Sequence, residues 1–302
     1  MKAADLNIGM IGLDTSHVIA FAELLHLEDH PYHVPGGRIV YAYPGGSKDF
    51  ELSASRVEPF TQTLASQFGV RMLDSIEAVA EARDAILLES VDGRVHLEQF
   101  LKIVPYGKPV FIDKPFALSL KAAETIIEAA AKHGTRLLSC SSVRFAEGLT
   151  AELGREDEAP IIGADCYGPM NLEPTQPGLF WYGIHAADML YAVMGRGCRE
   201  VRAVASGLHE SVTGIWEDGR IGTIRGNRCG NSRFGALVHR STHSIWADVQ
   251  AYGKPYYASM LEKIIAMFRG GPCPIDPEET LEIIAFIEAA NASRDSGQPV
   301  RL

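Results

Sequence analysis

The chain has 302 residues, 46% of them hydrophobic and 22% charged, with a formal net charge of −10 at pH 7. That length suits two domains, and the composition is that of a soluble globular protein. An acidic balance with no basic run excludes nucleic acid or an anionic membrane as an expected partner, and no apolar run reaches the roughly 18 residues of a membrane span. Five cysteines (Cys140, Cys166, Cys198, Cys229, Cys273) are odd in number and never spaced Cys-x-x-Cys. This speaks against structural zinc and for a reducing compartment. Met1-Lys2-Ala3-Ala4-Asp5 leads straight into an apolar strand without a signal-peptide core, so a cytoplasmic protein is expected.

The first half alternates strand and helix signals. Apolar, β-branched runs at Leu6–Leu13, Arg38–Tyr43, Ala85–Leu88, Pro109–Ile112 and Arg136–Ser141 alternate with helical periodicities at Val18–Leu27, Thr61–Phe68, Ile76–Ala82, Val95–Val104 and Leu118–His133. Strict alternation predicts a doubly wound parallel sheet, an N-terminal Rossmann domain over residues 1–143. From 144 to 302 the strand signals follow one another: Ile161–Tyr167, Val201–Ser206, Ser211–Trp216, Arg220–Arg225, Phe234–Val238 and Ser244–Val249. Asp218-Gly219 reads as a two-residue hairpin turn. Helices are expected at His185–Val193, Tyr256–Phe268 and Pro277–Ser293, the last with Asp276 as cap. Glu156-Asp157-Glu158 reads as a solvated loop. The class is α/β, a Rossmann domain followed by an α+β domain on a mostly antiparallel open sheet.

After the first strand, where a dinucleotide fingerprint would read Gly-x-Gly-x-x-Gly, the chain reads Gly12-Leu13-Asp14-Thr15-Ser16-His17. The first glycine is kept; the second is an aspartate and the third a histidine. An ionised Asp14 about 4 Å from a phosphate oxygen would cost on the order of 4 kcal/mol at an effective dielectric near 20. Asp14 can escape by turning away to cap the helix, leaving Thr15 and Ser16 for phosphates, or by pairing with a protonated His17. A third reading gives the four polar residues to another ligand. After the second strand comes Tyr43-Pro44-Gly45-Gly46-Ser47-Lys48, with no acid before Asp49; Ser47 and Lys48 suit a 2′-phosphate, which favours NADP over NAD.

The fifth strand delivers Asp113-Lys114-Pro115 to its carboxyl end, where open α/β sheets bind ligands. Gly107-Lys108-Pro109-Val110-Phe111-Ile112-Asp113-Lys114-Pro115 and Gly183-Ile184-His185-Ala186-Ala187-Asp188 resemble two motifs of the Gfo/Idh/MocA oxidoreductases. Ala289-Ala290-Asn291-Ala292-Ser293 and Gly297-Gln298-Pro299-Val300 resemble that family's last helix and tail. The resemblance implies an NAD(P)-dependent oxidoreductase on a sugar, polyol or related hydroxy compound. It implies Lys114 and His185 as catalytic acid/base residues. It also implies a cofactor site that adds His96, Asp113 and Lys114 to Gly12, Asp14, Thr15, Ser16, His17, Ser47 and Lys48. It further implies a homodimer or larger homo-oligomer. Substrate contacts are expected from Lys114, Trp181, Tyr182 and His185.

One departure stands in the second half. Trp181 occupies the position, four residues before His185, where many dehydrogenases of the family have an aspartate. The altered turn and the missing acid keep two other readings open: a redox-neutral sugar lyase or isomerase on the same scaffold, and a non-catalytic ligand-binding protein. His239-x-x-x-His243 with Asp248 nearby is read as a loop entering a strand, not a metal site, and no metal is expected. Asp188 is read as structural, and Arg225, Arg228 and Arg233 as solvated surface.

Overall fold

A computed structural model describes residues 4–81, 83–155 and 159–302. The N-terminal residues 1–3, the last residue of the expected Ile76–Ala82 helix, and Glu156-Asp157-Glu158 lie outside the described residues. Contacts divide the chain into two units. The first comprises Met1–Ala117, Lys121–Cys140 and Tyr257–Pro277; the second comprises Leu118–Leu120, Ser141–Tyr256 and Glu278–Leu302.

The first unit runs β1 (Leu6–Ile11), α1 (His17–His26), β2 (Gly37–Tyr43), α2 (Glu51–Phe68), β3 (Arg71–Met72), α3 (Ile76–Glu81), β4 (Ala85–Leu88), α4 (His96–Ile103), β5 (Val110–Ile112), α5 (Leu120–His133) and β6 (Leu137–Leu138). Its strands are all parallel in the order β3-β2-β1-β4-β5-β6, the doubly wound order that turns back beside β1. All four residues of β4 and all three of β5 are buried, as parallel strands covered on both faces require. In α5, Ala123, Ile126 and Ala130 are buried at helical spacing.

Two elements escape the sequence reading. β3 has two residues, too few to show a period. α2 begins ten residues before Thr61, because Pro59 lies inside it. Pro59 and Ser55 are both exposed, so water can meet the carbonyl that loses its donor.

The second unit contains α6 (Glu147–Leu153), β7 (Ile161–Pro169), α7 (Gly183–Met194), β8 (Cys198–Ser206), β9 (His209–Trp216), β10 (Ile221–Asn227), β11 (Gly235–Arg240) and β12 (Ser244–Asp248). After α8 (Tyr256–Phe268) come α9 (Pro277–Ser296) and β13 (Val300–Arg301). The sheet order is β12-β11-β7-β10-β9-β8-β13; β7 and β10 are parallel and the remaining pairs antiparallel. Ala164, Cys166, Val212 and Ile224 point to the covered side, and α7 is buried at Met189 and Leu190. The alternate positions leave Val204, Ile221 and Trp246 exposed at 60%, 51% and 58%.

A single boundary after residue 143 would put Tyr257–Pro277 in the second unit, but this segment packs in the first. The Tyr257 ring, on α8, lies 4.8 Å from the His17 ring, and the Arg269 guanidinium donates to the Gly36 carbonyl at 2.9 Å. The Asp218-Gly219 turn is one residue longer than expected. The Trp216 N–H donates to Arg220 O, and Gly219, at φ +87°, takes the left-handed position of a three-residue loop. Among the described residues no helix is long and apolar enough to cross a membrane.

Candidate functional site

The turn after β1 is built around a carboxylate that faces inward. Gly12 has φ +84°, and a Cβ there would run into the Ser90 backbone, so glycine is required. Asp14 is buried: its Oδ1 accepts the Val91 N–H at 2.9 Å and its Oδ2 the Ser53 hydroxyl at 2.5 Å. Burial pushes the Asp14 carboxyl up, with the Ser53 and Val91 hydrogen bonds opposing. Both expected escapes are therefore corrected. Asp14 turns away from the turn, but toward Val91 and α2 instead of capping α1, and its partner is not His17. Exposed Ser16 occupies the N-cap of α1 without a side-chain cap bond, and Thr15 is buried.

A cavity of ≈ 450 Å³ lies beside this turn, lined among others by Asp14, Tyr43, Gly46, Ser47, Lys48 and Ser90. Ser47 donates its hydroxyl to Asp92 at 2.6 Å, and Lys48 is exposed. The Arg94 guanidinium is shared between Asp92 and Asp49, which holds the Asp49 carboxyl below its ordinary value. Asp74, Glu77 and Glu98 add negative charge to the lining, and Lys102 is paired to Glu98 at 2.8 Å.

Three buried side chains meet at the carboxyl ends of the strands. His17 opens α1, Glu89 follows β4 and Asp113 follows β5. His17 Nδ1 is 3.0 Å from Asp113 Oδ1 and 3.8 Å from Glu89 Oε2. Neither Glu89 oxygen, nor Asp113 Oδ2, has a hydrogen-bond partner. Burial pushes the Glu89 carboxyl well up, and the Asp113 charge adds to this. Burial also acts to raise Asp113, but His17 and Lys114 outweigh it and hold that carboxyl down at about 2. The two carboxyl groups are thus pushed apart, Glu89 toward its protonated form and Asp113 toward its ionised one, the division expected of neighbouring carboxyl groups. The three ligand atoms lie within 4.8 Å of one another, close enough to hold a cation. The Lys114 charge opposes one, and a proton on Glu89 relieves the same repulsion.

Lys114 is nearly enclosed at 7% exposed, and the peptide bond to Pro115 is cis. Glu89 was not read from the sequence. Its signal was available: an acid directly after the four apolar residues of β4, as Asp113 is after β5. His96 is corrected from the cofactor set. It is fully buried, with Nδ1 2.9 Å from Pro115 O and Nε2 2.7 Å from Ser90 O, which leaves no ring nitrogen for a ligand.

In the second unit, His185 stands in the first turn of α7. Its Nδ1 is 2.6 Å from the Ser141 hydroxyl oxygen, and the Tyr182 and Phe234 rings flank it edge-on at 5.3 and 5.6 Å. One turn further on, Asp188 accepts the Ser141 N–H at 2.5 Å and Arg144 Nη1 at 2.7 Å, and Arg144 also pairs with Glu279. Burial pushes Asp188 up, with Arg144 opposing. Asp188 is structural, as expected. Trp181 is nearly buried, its ring centroid 6.2 Å from that of Tyr182.

The remaining candidates are engaged elsewhere. His239 bridges Asp165 at 2.8 Å and Ser244 at 2.7 Å, while His243 meets Thr242 on the turn between β11 and β12. Arg228 and Arg233 pair with Glu210 and Asp248, so Arg228 is not the solvated residue expected.

A parallel sheet in the order 3-2-1-4-5-6 carrying an Asp-Lys-Pro turn, with a second unit on an open mixed sheet, defines a two-unit fold whose first unit is Rossmann-type. The NAD-binding Rossmann description of the Gfo/Idh/MocA oxidoreductase family matches residues 43–140 of this chain. Inositol 2-dehydrogenase of Cereibacter sphaeroides is 38% identical over 76 residues, covering 25% of this chain and 22% of that protein. Its counterpart in Burkholderia cenocepacia is 36% identical over 92 residues, 30% and 27% of the two. The match therefore spans about a quarter of the length of these relatives. Among solved structures, apo scyllo-inositol dehydrogenase from Lactobacillus casei superposes with a TM-score of 0.80 at 14% identity, over 100% of this chain and 99% of that one. An oxidoreductase from Agrobacterium radiobacter, solved with NAD+, L-tartaric acid and magnesium, gives 0.74 at 15% identity, over 99% and 98%. At these identities the likeness is one of fold.

Proposed function

We propose that this chain is an NAD(P)-dependent oxidoreductase that acts on a hydroxyl group of a sugar, polyol or related compound. The observation that carries the reading is Lys114, enclosed at the carboxyl end of the fifth parallel strand beside two buried carboxyl groups pushed in opposite directions. The similarity of a 76-residue stretch to inositol 2-dehydrogenase supports the substrate class.

The residues present fit a dinucleotide. Gly12 keeps the tight turn, Asp14 withdraws its carboxylate, and the ≈ 450 Å³ cavity beside them falls in the size range of ligand pockets. NADP is favoured over NAD, since β2 ends at Tyr43 without an acid and exposed Lys48 lies on the cavity lining. When bound, the nicotinamide ring would exchange a hydride with the carbon that bears the hydroxyl. Lys114 would hold or move the proton at the substrate oxygen. In the second unit, His185 would contact substrate, with Trp181 and Tyr182 as an aromatic wall for a sugar face. The open sheet face bearing Val204, Ile221 and Trp246 would pair with a second copy of the chain. The five free cysteines accord with a reducing, cytoplasmic setting.

A panel of inositols, sugars and polyols assayed with NAD and NADP tests this. Reduced nicotinamide should form with at least one substrate, and Lys114→Met should lower turnover by about 10²–10⁴-fold without loss of folding. No turnover with either cofactor, or turnover unchanged in Lys114→Met, would contradict the reading. Conversion of a sugar without net change in nicotinamide would point to a redox-neutral reaction.

A further inference from the structure

We propose that His17 is a proton acceptor at the carboxyl edge of the parallel sheet, with Asp113 as its positioning residue: Asp113 holds the ring proton on Nδ1, so the neutral histidine presents a base lone pair at Nε2. The proposal rests on the oxidoreductase reading only for the group that gives up the proton, a substrate hydroxyl. The tautomer follows from hydrogen-bond accounting within the first unit.

His17 opens α1 at the position of the third fingerprint glycine, at the edge where open α/β sheets bind ligands. It is 6% exposed, its ring centroid 6.0 Å from that of Phe21 and 4.8 Å from that of Tyr257. Two buried carboxyl groups face Nδ1. Asp113 Oδ1 is within hydrogen-bond reach at 3.0 Å, and Glu89 Oε2 is outside it at 3.8 Å. Burial acts to raise Asp113, but His17 and Lys114 outweigh it and hold the carboxyl down at about 2. Glu89 receives no hydrogen bond at either oxygen, so a proton carried by this pair of acids belongs on Glu89. Asp113 is therefore the carboxylate, which accepts and cannot donate. The single proton of the neutral ring sits on Nδ1, between His17 and Asp113, and Nε2 is a lone pair. Among the described residues Nε2 makes no hydrogen bond.

A buried carboxylate at Nδ1 does two things for a base. It fixes the ring orientation and tautomer, and it steadies the imidazolium that forms when Nε2 takes a proton. The ligand group matched to such a nitrogen is one that donates. In the oxidation of a hydroxyl compound, the carbon gives its hydride to the oxidised nicotinamide, the C–O bond becomes a carbonyl, and the hydroxyl proton is left over. His17 Nε2 takes that proton. Lys114, the residue after Asp113, keeps its own proton against the oxygen as a hydrogen-bond donor. The exchange of glycine for histidine in the turn then supplies a base from the same residue that departs from the fingerprint.

The full-length protein labelled with ¹⁵N-histidine tests the tautomer by long-range ¹H–¹⁵N correlation, with His17 assigned by its loss in His17→Gly and the pH raised until the ring is neutral. Wild type should show a pyrrole-type Nδ1 and a pyridine-type Nε2. A pyridine-type Nδ1 would overturn the proposal whatever the polyol assay gives. His17→Gly also restores the fingerprint glycine and leaves room for a free imidazole. Its turnover should fall about 10²–10⁴-fold, with part of the loss recovered by added imidazole and stabilisation by NADPH retained. Turnover unchanged in His17→Gly, or a loss that imidazole does not repair, would overturn the proposal. Should the glycine variant not fold, His17→Gln gives the assignment and should show the same fall in turnover. If wild type turns over no polyol, the oxidoreductase reading fails, and the ¹⁵N pattern still decides the state of His17.

Discussion

Both units bury carboxyl groups, but they treat them differently. In the second, Asp188 takes a backbone N–H and a guanidinium, and the same guanidinium reaches Glu279, so the buried charges answer one another. In the first, Glu89 has no hydrogen-bond partner at either oxygen and Asp113 Oδ2 has none, with His17 and Lys114 as neighbours. A closed network is scaffolding, because each group spends its capacity on another part of the chain. An open one keeps capacity for a proton or a ligand, and it stands at the carboxyl ends of β4 and β5, where this fold binds.

The largest expected effect lies in the closed network. Arg144→Ala strands Asp188 as a buried, uncompensated charge and should cost about 3–5 kcal/mol in urea unfolding. A loss below about 1 kcal/mol would show that this network does not hold the second unit together.

Asp14→Ala should cost about 1–3 kcal/mol, since the Val91 N–H and the Ser53 hydroxyl lose their acceptor, and Asp14→Asn should cost less. An Asp14→Ala protein as stable as wild type would mean that the carboxylate is not fixed inward.

The open cluster should declare itself through pH. Folded Glu89 keeps a proton that the unfolded chain releases above 4.5, so its contribution to stability falls as pH rises from there toward its folded value. Asp113, held down at about 2, acts oppositely: its contribution is complete above 3.8 and is lost as pH falls toward 2. Glu89→Gln should abolish the upper decline and gain on wild type by up to about 1.4 kcal/mol per pH unit across that window. Parallel stability–pH curves for the two proteins would refute an upward shift of Glu89. The smallest effect on folding is expected on the open sheet face. Trp246→Glu should leave the melting temperature nearly unchanged while lowering the mass seen by light scattering; an unchanged mass would remove that face from assembly.

What could be read from the chain was local. The strand before Gly12, the helix after His17 and Asp113-Lys114-Pro115 are each set by residues a few positions apart, and periodicity exposes them. The doubly wound parallel sheet followed from strict alternation of strand and helix. What could not be read was pairing across the chain. Asp14 finds Ser53 and Val91, 39 and 77 residues away, and Ser141 finds His185 at a distance of 44. No spacing rule marks such partners. The return of Tyr257–Pro277 to the first unit is of the same kind, a contact between distant segments instead of a composition shift. Pro59 hid the first half of α2 because a rule about helix interiors outranked the exposure that makes the proline tolerable.

Asp14 points into the protein, so a carboxylate in the glycine turn need not bar a dinucleotide. Thermal unfolding with and without NADH and NADPH tests it most directly. Either cofactor at a hundredfold excess over its dissociation constant should add about 2.7 kcal/mol of stability and raise the melting temperature, with NADPH effective at the lower concentration. No shift with either one at millimolar concentration would contradict the account.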